Sequence, residues 1–311
     1  MRVRELGEDA LIAALAEIYR ARDGVEVGIG DDGAVIASAS LRQVVTTDLA
    51  TEGIHFNRNW CSPRDIGAKV TIANLADIFA MGGIPQFMTV AMTIPADEEV
   101  SYILEIARGI EELARTHRVS VVGGDLVAGH SLTISITALG SVDSPVLRSG
   151  AHVGNLLFLT RGTGRSLAGL LLLREGLATP ESPDVRIFQR PEFHPEDLLE
   201  FGFENMNALM DVSDGLRTDL FRLAKASGVG INLDIQNSEL GYLQELSSKL
   251  EISAIELFLS SGEEHSFIVA ADKAKISKVP STWIKLGEVA AGVGITLRGQ
   301  ELSMTEKSWH W

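Results

Sequence analysis

The sequence predicts an α/β (α+β) protein of two domains, on three observations. Short apolar runs that read as strands alternate along the chain with longer segments whose apolar residues recur at helical spacing. The 311 residues exceed what one hydrophobic core ordinarily serves, and each half is long enough to bury its own. Arg148-Ser149-Gly150 breaks the pattern near the middle, which sets a first domain of residues 1–148 and a second of residues 149–311.

In the first domain, Leu11, Ile12, Leu15, Ala16, Ile18 and Tyr19 fall at helical spacing, so an amphipathic helix is expected over residues 8–22. Val25 to Ile29, Ala34 to Ala37 and Gln43 to Thr47 read as strands, with Thr47-Asp48 at a strand end. Ser62-Pro63 supplies an N-cap and an N1 proline for a helix that runs to about Met81, with Asn74 and Asp77 on one stripe. Phe87 to Ile94 is a strand. Asp97-Glu98-Glu99 then begins a helix with acids at its positive end and Arg115, His117 and Arg118 at its negative end. The apolar strand Val119 to Val122 ends in Gly123-Gly124-Asp125, and Leu132 to Ala138 alternates apolar with Thr and Ser, the mark of a strand with one polar face.

The second domain opens with a strand over Leu156 to Thr160. The turn Arg161-Gly162-Thr163-Gly164 follows, which reads chiefly as a tight strand-to-helix turn and otherwise as a backbone suited to phosphate, and then a helix from Ser166 to Arg174. Glu175 to Glu196, rich in Pro and charge, reads as an irregular surface excursion or the approach to a helix after Pro195. Asn207 to Met210 is a strand that delivers Asp211-Val212-Ser213-Asp214-Gly215 to a helix ending at Gly228. Strands over Gly230 to Ile235, Phe267 to Ala270, Ile284 to Val289 and Gly294 to Leu297 complete the domain.

Composition excludes several functions. A net charge of −15 is wrong for gripping nucleic-acid phosphates and right for collecting cations. Cys61 is the single cysteine, so no intramolecular disulfide and no thiolate zinc site can form, and a reducing cytoplasm is expected. Acids stand where a signal peptide carries basic residues, and the longest apolar run, near Ala168 to Leu173, is too short to span a bilayer, so no membrane association is expected. Neither a P-loop nor a protein-kinase catalytic loop is present, and a lone Gly162-Thr163-Gly164 does not make a dinucleotide fingerprint.

What remains is a set of aspartates. Gly28-Ile29-Gly30-Asp31-Asp32-Gly33 is answered by Thr46-Thr47-Asp48, and Asp77, Asp125, Asp211 and Asp214 repeat the theme. One Asp-Gly loop alone is ordinarily a turn or a helix cap. Several together, with glycines that let the backbone approach a ligand, point to hard oxygen donors for Mg²⁺ and a nucleotide. Asp31 is the ligand candidate of its pair, while Asp32 shapes the loop; Thr46 and Thr47 add hydroxyl or carbonyl oxygens. His55 reads equally as a substrate contact or a loop cap, and Trp309 and Trp311 as a stacking platform or a staple for the tail.

The motifs Gly28-Ile29-Gly30-Asp31-Asp32, Thr46-Thr47-Asp48, Asn74-Leu75-Ala76-Asp77 with Met81-Gly82, Gly123-Gly124-Asp125, Arg148-Ser149-Gly150 and Asp211-Val212-Ser213-Asp214-Gly215 occur in one order. That set resembles the thiamine-monophosphate kinase family, of the superfamily named for aminoimidazole ribonucleotide synthetase. The resemblance covers about residue 5 to about residue 265. It implies a two-domain synthetase-like fold of mixed sheets flanked by helices, with an ATP site in the interdomain cleft. It further implies phosphoryl transfer from ATP to thiamine monophosphate, several Mg²⁺ ions, and a homodimer through the first domains. Carried to this chain, it implies that Asp31, Thr46, Thr47, Asp48, Asp77, Asp125, Asp211 and Asp214 hold metal. Gly124, Asp125, Arg148 and Ser213 would contact ATP, and His55, Glu263 and Trp309 the acceptor, with no residue acting as acid or base.

Two stretches depart from the family. Ser260-Ser261-Gly262-Glu263-Glu264-His265 stands where it has Ser-Gly-Gly-Glu-Asp, and the tail reads Lys307-Ser308-Trp309-His310-Trp311 where it has Gly before the aromatic residue and usually ends in His-Phe. The alternatives are another ATP-dependent enzyme of the superfamily or a nucleotide-binding relative with altered catalysis. Those superfamily reactions that need a reactive thiol in a mobile tail or loop have Cys61 alone to draw on.

Overall fold

The computed structural model describes residues 42–303, together with residues 14–15, 17–19, 25–27 and 35–36. The chain forms two compact units: residues up to Ile78 with Gly83–Asp143, and Phe79–Gly82 with Ser144 onward. Residues 14–15 and 17–18 are helical, with Leu15 and Tyr19 buried, as the helical spacing predicts. Strands β1 (Val25–Val27) and β2 (Val35–Ile36) pair antiparallel.

The first unit is built on β3 (Arg42–Thr51), α1 (Pro63–Ala80), β4 (Ile84–Ile94), α2 (Val100–Thr116), β5 (Ser120–Ala128) and β6 (Thr133–Val142). Among the described residues these strands form a mixed sheet in the order β3-β6-β4-β5, antiparallel except for β4 and β5, which α2 joins as a parallel crossover. The period of two sorts its residues. Ile134, Ile136, Ala138, Val90 and Met92 make a buried face, while Thr133, Ser135 and Thr137 line the other with Thr89, Thr93 and Thr47. The polar face expected for β6 continues onto its neighbours through Thr47, Thr89 and Thr93. Helix α2 turns Val100, Ile103, Ile106, Ala107, Ile110, Leu113 and Ala114 inward. It begins at Val100 rather than at Asp97, so the three acids precede its first turn and Glu99 is its N-cap.

The second unit contains β7 (Leu156–Leu159), α3 (Arg165–Arg174), α4 (Arg186–Gln189), α5 (Glu196–Phe201), β8 (Ala208–Asp211), α6 (Leu216–Ser227), β9 (Gly230–Leu233), α7 (Gln244–Leu250), α8 (Ala254–Ser260), β10 (Phe267–Ala271), β11 (Ile284–Ala290), β12 (Ile295–Leu297) and β13 (Gln300–Leu302). Its described strands form one mixed sheet, β13-β12-β9-β11-β7-β10-β8, in which only β9 and β12 run parallel. Every residue of β7, β8 and β10 is buried, the pattern of strands covered on both faces. Residues 175–196 are not simply a surface excursion: Val185 and Phe188 are buried, and Phe193 meets Phe79 and Phe267 with ring centroids 5.9 and 6.2 Å apart. The helix after Pro195 is α5. Helices α7 and α8 and strand β13 are too short for a periodic pattern to announce them.

Candidate functional site

In the first unit, β3 and α1 bring three of the predicted residues to the buried side of the sheet. Thr46 Oγ1 donates to Asp77 Oδ2 at 2.6 Å, and the backbone N–H of Asp48 donates to Asn74 Oδ1 at 3.1 Å. Asn74 is itself anchored, since its amide donates to the Val70 carbonyl at 2.9 Å. The mid-helix Asp77, a poor helix former, thus has a partner on the neighbouring strand. Asp48 is not at a strand end, as the sequence suggests. The strand continues to Thr51 because every residue from Arg42 to Thr51 has a partner on β6. Alternation puts the Thr47 hydroxyl on the opposite face, where it bonds Thr137 Oγ1 at 2.8 Å, so any part it takes beside Asp48 falls to its carbonyl.

Gly123, Gly124 and Asp125 likewise lie inside β5 rather than after it, because the strand pairs with β4 as far as Ala128. A side chain at Gly124 would strike the Val90 carbonyl, which explains the glycine. Asp125 is exposed and in register with Ala91, on the face opposite that of Asp48; its Oδ1 accepts the N–H of Leu126 at 2.9 Å.

His55 sits in the loop after β3, where its Nδ1 accepts the N–H of Thr51 at 3.1 Å and leaves the ring proton on Nε2. Arg58 pins this loop. Its guanidinium is held by Glu52 and by Glu98 (2.8 Å) and lies 4.8 Å over the Tyr102 ring. The two carboxylate hydrogen bonds push its pKa up.

In the second unit two loops are zipped together. Asp211 closes β8, and Ser213, Asp214 and Gly215 lead into α6. Residues 261–266, all buried, lead into β10. The N–H of Glu263 donates to the Ser213 carbonyl at 2.8 Å, and that of His265 to the Val212 carbonyl at 3.2 Å. Gly262 lies against the Ser213 carbonyl so closely that a Cβ would collide with it. Glu263 and His265 adopt left-handed backbone, φ 55° and 51°, an arrangement that costs a non-glycine residue and that the zipped loops sustain. His265 Nδ1 lies 3.2 Å from Asp211 Oδ2. Arg148 is exposed, and its carbonyl accepts from Ser227 Oγ at 2.8 Å.

Two carboxylates that sequence reasoning passed over organise these loops. Asp219 on α6 is fully buried; its Oδ2 accepts the N–H groups of Ser213 (3.0 Å) and Asp214 (3.1 Å), and its Oδ1 accepts from Arg222 at 2.9 Å. Arg222 also pairs with Asp214. Burial first, then the charge of Asp211 and the lesser charge of Asp214, against the opposing pull of Arg222, push the Asp219 pKa up to about 7. Glu264 takes the α3 N-terminus: its Oε1 accepts from Gly164 N (2.7 Å), Ser166 N (3.0 Å) and Ser261 Oγ (2.5 Å). The loop that reads as a phosphate cradle is filled by the chain's own carboxylate. The signal for Asp219 was its place in a first helical turn on an otherwise apolar stripe; Glu264 was visible only as a Glu where the family has Asp.

Asp31 and Trp309, with Asp32 and Trp311, fall outside the described residues. Among the described residues no three His, Cys, Asp or Glu side chains gather into a ready-made metal cage. Mg²⁺ is ordinarily held by one or two carboxylates, with water and substrate phosphates completing its octahedron. The donors fit that habit. Asp77 with the Thr46 hydroxyl, and Asp211 and Asp214 beside the buried carboxyl of Asp219, are hard oxygens in negative surroundings.

Residues 30–142 match the family model for the N-terminal domain of AIR synthase related proteins, and residues 152–307 the model for their C-terminal domain. The chain is 33% identical over 298 residues to the thiamine-monophosphate kinase of Mycobacterium tuberculosis, covering 93% of this chain and 87% of that one. The chain belongs to the thiamine-monophosphate kinase family. A second family member, from Aquifex aeolicus, is 30% identical and covers 99% of both chains. The solved structure of AaThiL complexed with AMPPCP and TMP superposes with a TM-score of 0.79 at 29% identity, covering 99% of this chain and 98% of that one. The two-domain fold of the thiamine-monophosphate kinase family, with its mixed sheets, is thus the fold of this chain.

Proposed function

We propose that the chain transfers the γ-phosphoryl group of ATP to the terminal phosphate of thiamine monophosphate, giving thiamine diphosphate and ADP. The observation that carries the reading is the nearly full-length likeness to a structure complexed with AMPPCP and TMP. The acceptor is a phosphate oxygen, already anionic near neutral pH, so no side chain need act as base. The difficulty is repulsion between two polyphosphates, which cations relieve.

Asp31, Asp48, Asp77, Asp125, Asp211 and Asp214, with oxygens of Thr46 and Thr47, would hold Mg²⁺ ions, which when bound supply neutralisation of the charge on the transferring phosphoryl group. Gly124, Asp125, Arg148 and Ser213 contact ATP in this reading. The N–H and carbonyl of Ser213 are already committed to Asp219 and Glu263, so its contact runs through Oγ. His55, Glu263 and Trp309 contact the acceptor, and the clamp on Arg58 holds the His55 loop ready.

A homodimer through the first-unit sheet is part of the proposal. Its open face exposes Val45 (59%), Leu49 (54%) and Val127 (53%) among threonines, a mixed surface suited to a second copy. A cytoplasmic location is also proposed; among the described residues no helix is long and apolar enough to cross a membrane. Incubation of the purified protein with ATP, Mg²⁺ and thiamine monophosphate should yield thiamine diphosphate in step with ADP. Release of inorganic phosphate without thiamine diphosphate would reject the acceptor assignment, and light scattering reads the oligomeric state.

A further inference from the structure

We infer that Asp219 is a positioning residue, which sets the metal-binding geometry of the Asp211–Gly215 loop without touching metal or substrate. The inference rests on the reading that Asp211 and Asp214 hold Mg²⁺. Consecutive backbone N–H groups aimed at one point form a concavity that takes an anion. Here those of Ser213 and Asp214 converge on a single oxygen of Asp219, at 3.0 and 3.1 Å. The accepting oxygen is supplied by the next helix, six and five residues on. An incoming phosphate therefore finds these two N–H groups occupied.

Asp219 is itself closed to ligand. The side chain is 0% exposed, and its other oxygen faces Arg222 at 2.9 Å. Arg222 also pairs with Asp214, so Asp219 fixes the candidate ligand twice: through the backbone N–H of Asp214, and through the guanidinium that orients the Asp214 carboxylate. On the other side, the Ser213 carbonyl accepts from Glu263. Ser213 is held at both of its backbone polar groups, by α6 and by the 261–266 segment. Partners of this kind ordinarily govern metal affinity by about 10- to 100-fold.

The test is calorimetric titration of Mn²⁺ into the full-length protein with a non-hydrolysable ATP analogue present, on wild type, Asp219→Asn and Asp214→Asn. Asp219→Asn keeps shape and volume, removes the charge, and turns an amide NH₂ either toward Arg222 or toward the two backbone donors. Its Mn²⁺ affinity should fall about tenfold or more, and the amides of Ser213 and Asp214 should exchange hydrogen faster, while thermal unfolding remains cooperative. The Mg²⁺ concentration for half-maximal turnover should rise by the same factor, with the KM for thiamine monophosphate little changed. A merely structural residue would lower the active fraction and leave half-saturation where it was. Should Asp219→Asn fail to fold, Asp219→Ser, which keeps an oxygen too short to reach both donors, decides by the same titration. Unchanged Mn²⁺ affinity at position 219 with weakened affinity in Asp214→Asn overturns the positioning role alone. Unchanged affinity in Asp214→Asn overturns the metal reading of this loop, and the inference with it.

Discussion

The carboxylate of Glu264 accepts the backbone N–H of Gly164 at 2.7 Å, across 100 residues of sequence, and thereby fills the N-terminus of α3. A helix N-terminus carries partial positive charge and unsatisfied N–H groups. Glu264 answers both, taking the Ser166 N–H and the Ser261 hydroxyl as well. Truncation to Ala would leave three buried donors without their acceptor, at about 1–3 kcal/mol for each that finds no water. Glu264→Ala should therefore cost several kcal/mol of stability in all, read as a lowered denaturant midpoint with an unchanged m-value.

The same burial gives a pH signature. Loss of solvent raises the Glu264 pKa, against the lowering effect of its hydrogen bonds and of Arg165. A carboxyl whose folded pKa exceeds its unfolded value binds more protons folded, so its contribution to stability is complete below the ordinary Glu value of 4.5 and declines as pH rises through the folded pKa. Glu264→Gln removes that titration. The stability of wild type minus that of Glu264→Gln should fall as pH rises above 4.5; a difference flat from pH 4 to 8 would contradict the raised pKa.

Much of this architecture is legible in sequence, because most elements declare themselves by period. The β6 alternation, the apolar stripe of α2 and the Gly228 stop of α6 each follow from local rules, and Gly228 is left-handed at φ 67° as such a stop requires. Where each aspartate sits along its strand is less legible. Gly123-Gly124-Asp125 has the composition of a turn, yet pairing with β4 holds it in a strand, a tertiary effect that local composition cannot carry. Asp219 and Glu264 were illegible as organisers for a related reason. Each acts on backbone groups of another segment, and nothing in the residues beside it names that partner.

Asp48 and Asp125 lie on opposite faces of one sheet, the first toward α1 and the second on the open side. Neither carries core packing, so removal of one charge should spare the fold. Under the proposed reaction, Asp48→Asn and Asp125→Asn should each reduce kcat by about 100-fold or more, the scale of losing one preorganised electrostatic contact, with thermal midpoints near wild type. Near-normal turnover in either variant would remove that residue from the metal set.

Arg58 gives a prediction of the opposite kind. Its two carboxylate partners and the Tyr102 ring fix the loop that carries His55, and none of these groups is assigned to phosphoryl transfer. Loss of the clamp should make acceptor binding pay for ordering the loop. Arg58→Ala should raise the KM for thiamine monophosphate by roughly tenfold with kcat largely retained, since the missing interaction serves ground state and transition state alike. Equal loss in kcat and kcat/KM would place the loop in the reaction itself.

Gly262 tests whether the zipped loops are one unit. A methyl group there meets the Ser213 carbonyl, the oxygen that already accepts the Glu263 N–H. Neither side can yield easily, because Ser213 is held through its own N–H by Asp219 and Glu263 sits in left-handed backbone. Gly262→Ala should therefore cost about 1–3 kcal/mol of stability, as overpacking of a closed site does. It should also weaken Mn²⁺ binding and raise the KM for thiamine monophosphate together, because a single displacement moves the Asp211–Gly215 loop and Glu263 at once. Alanine at the neighbouring Ser261 lacks that coupling: it removes the hydrogen bond to Glu264 and the one accepted from the Leu167 N–H, and leaves the Ser213 carbonyl untouched. A Gly262→Ala enzyme with lowered stability but unaltered metal and acceptor dependence would show that the two loops move independently.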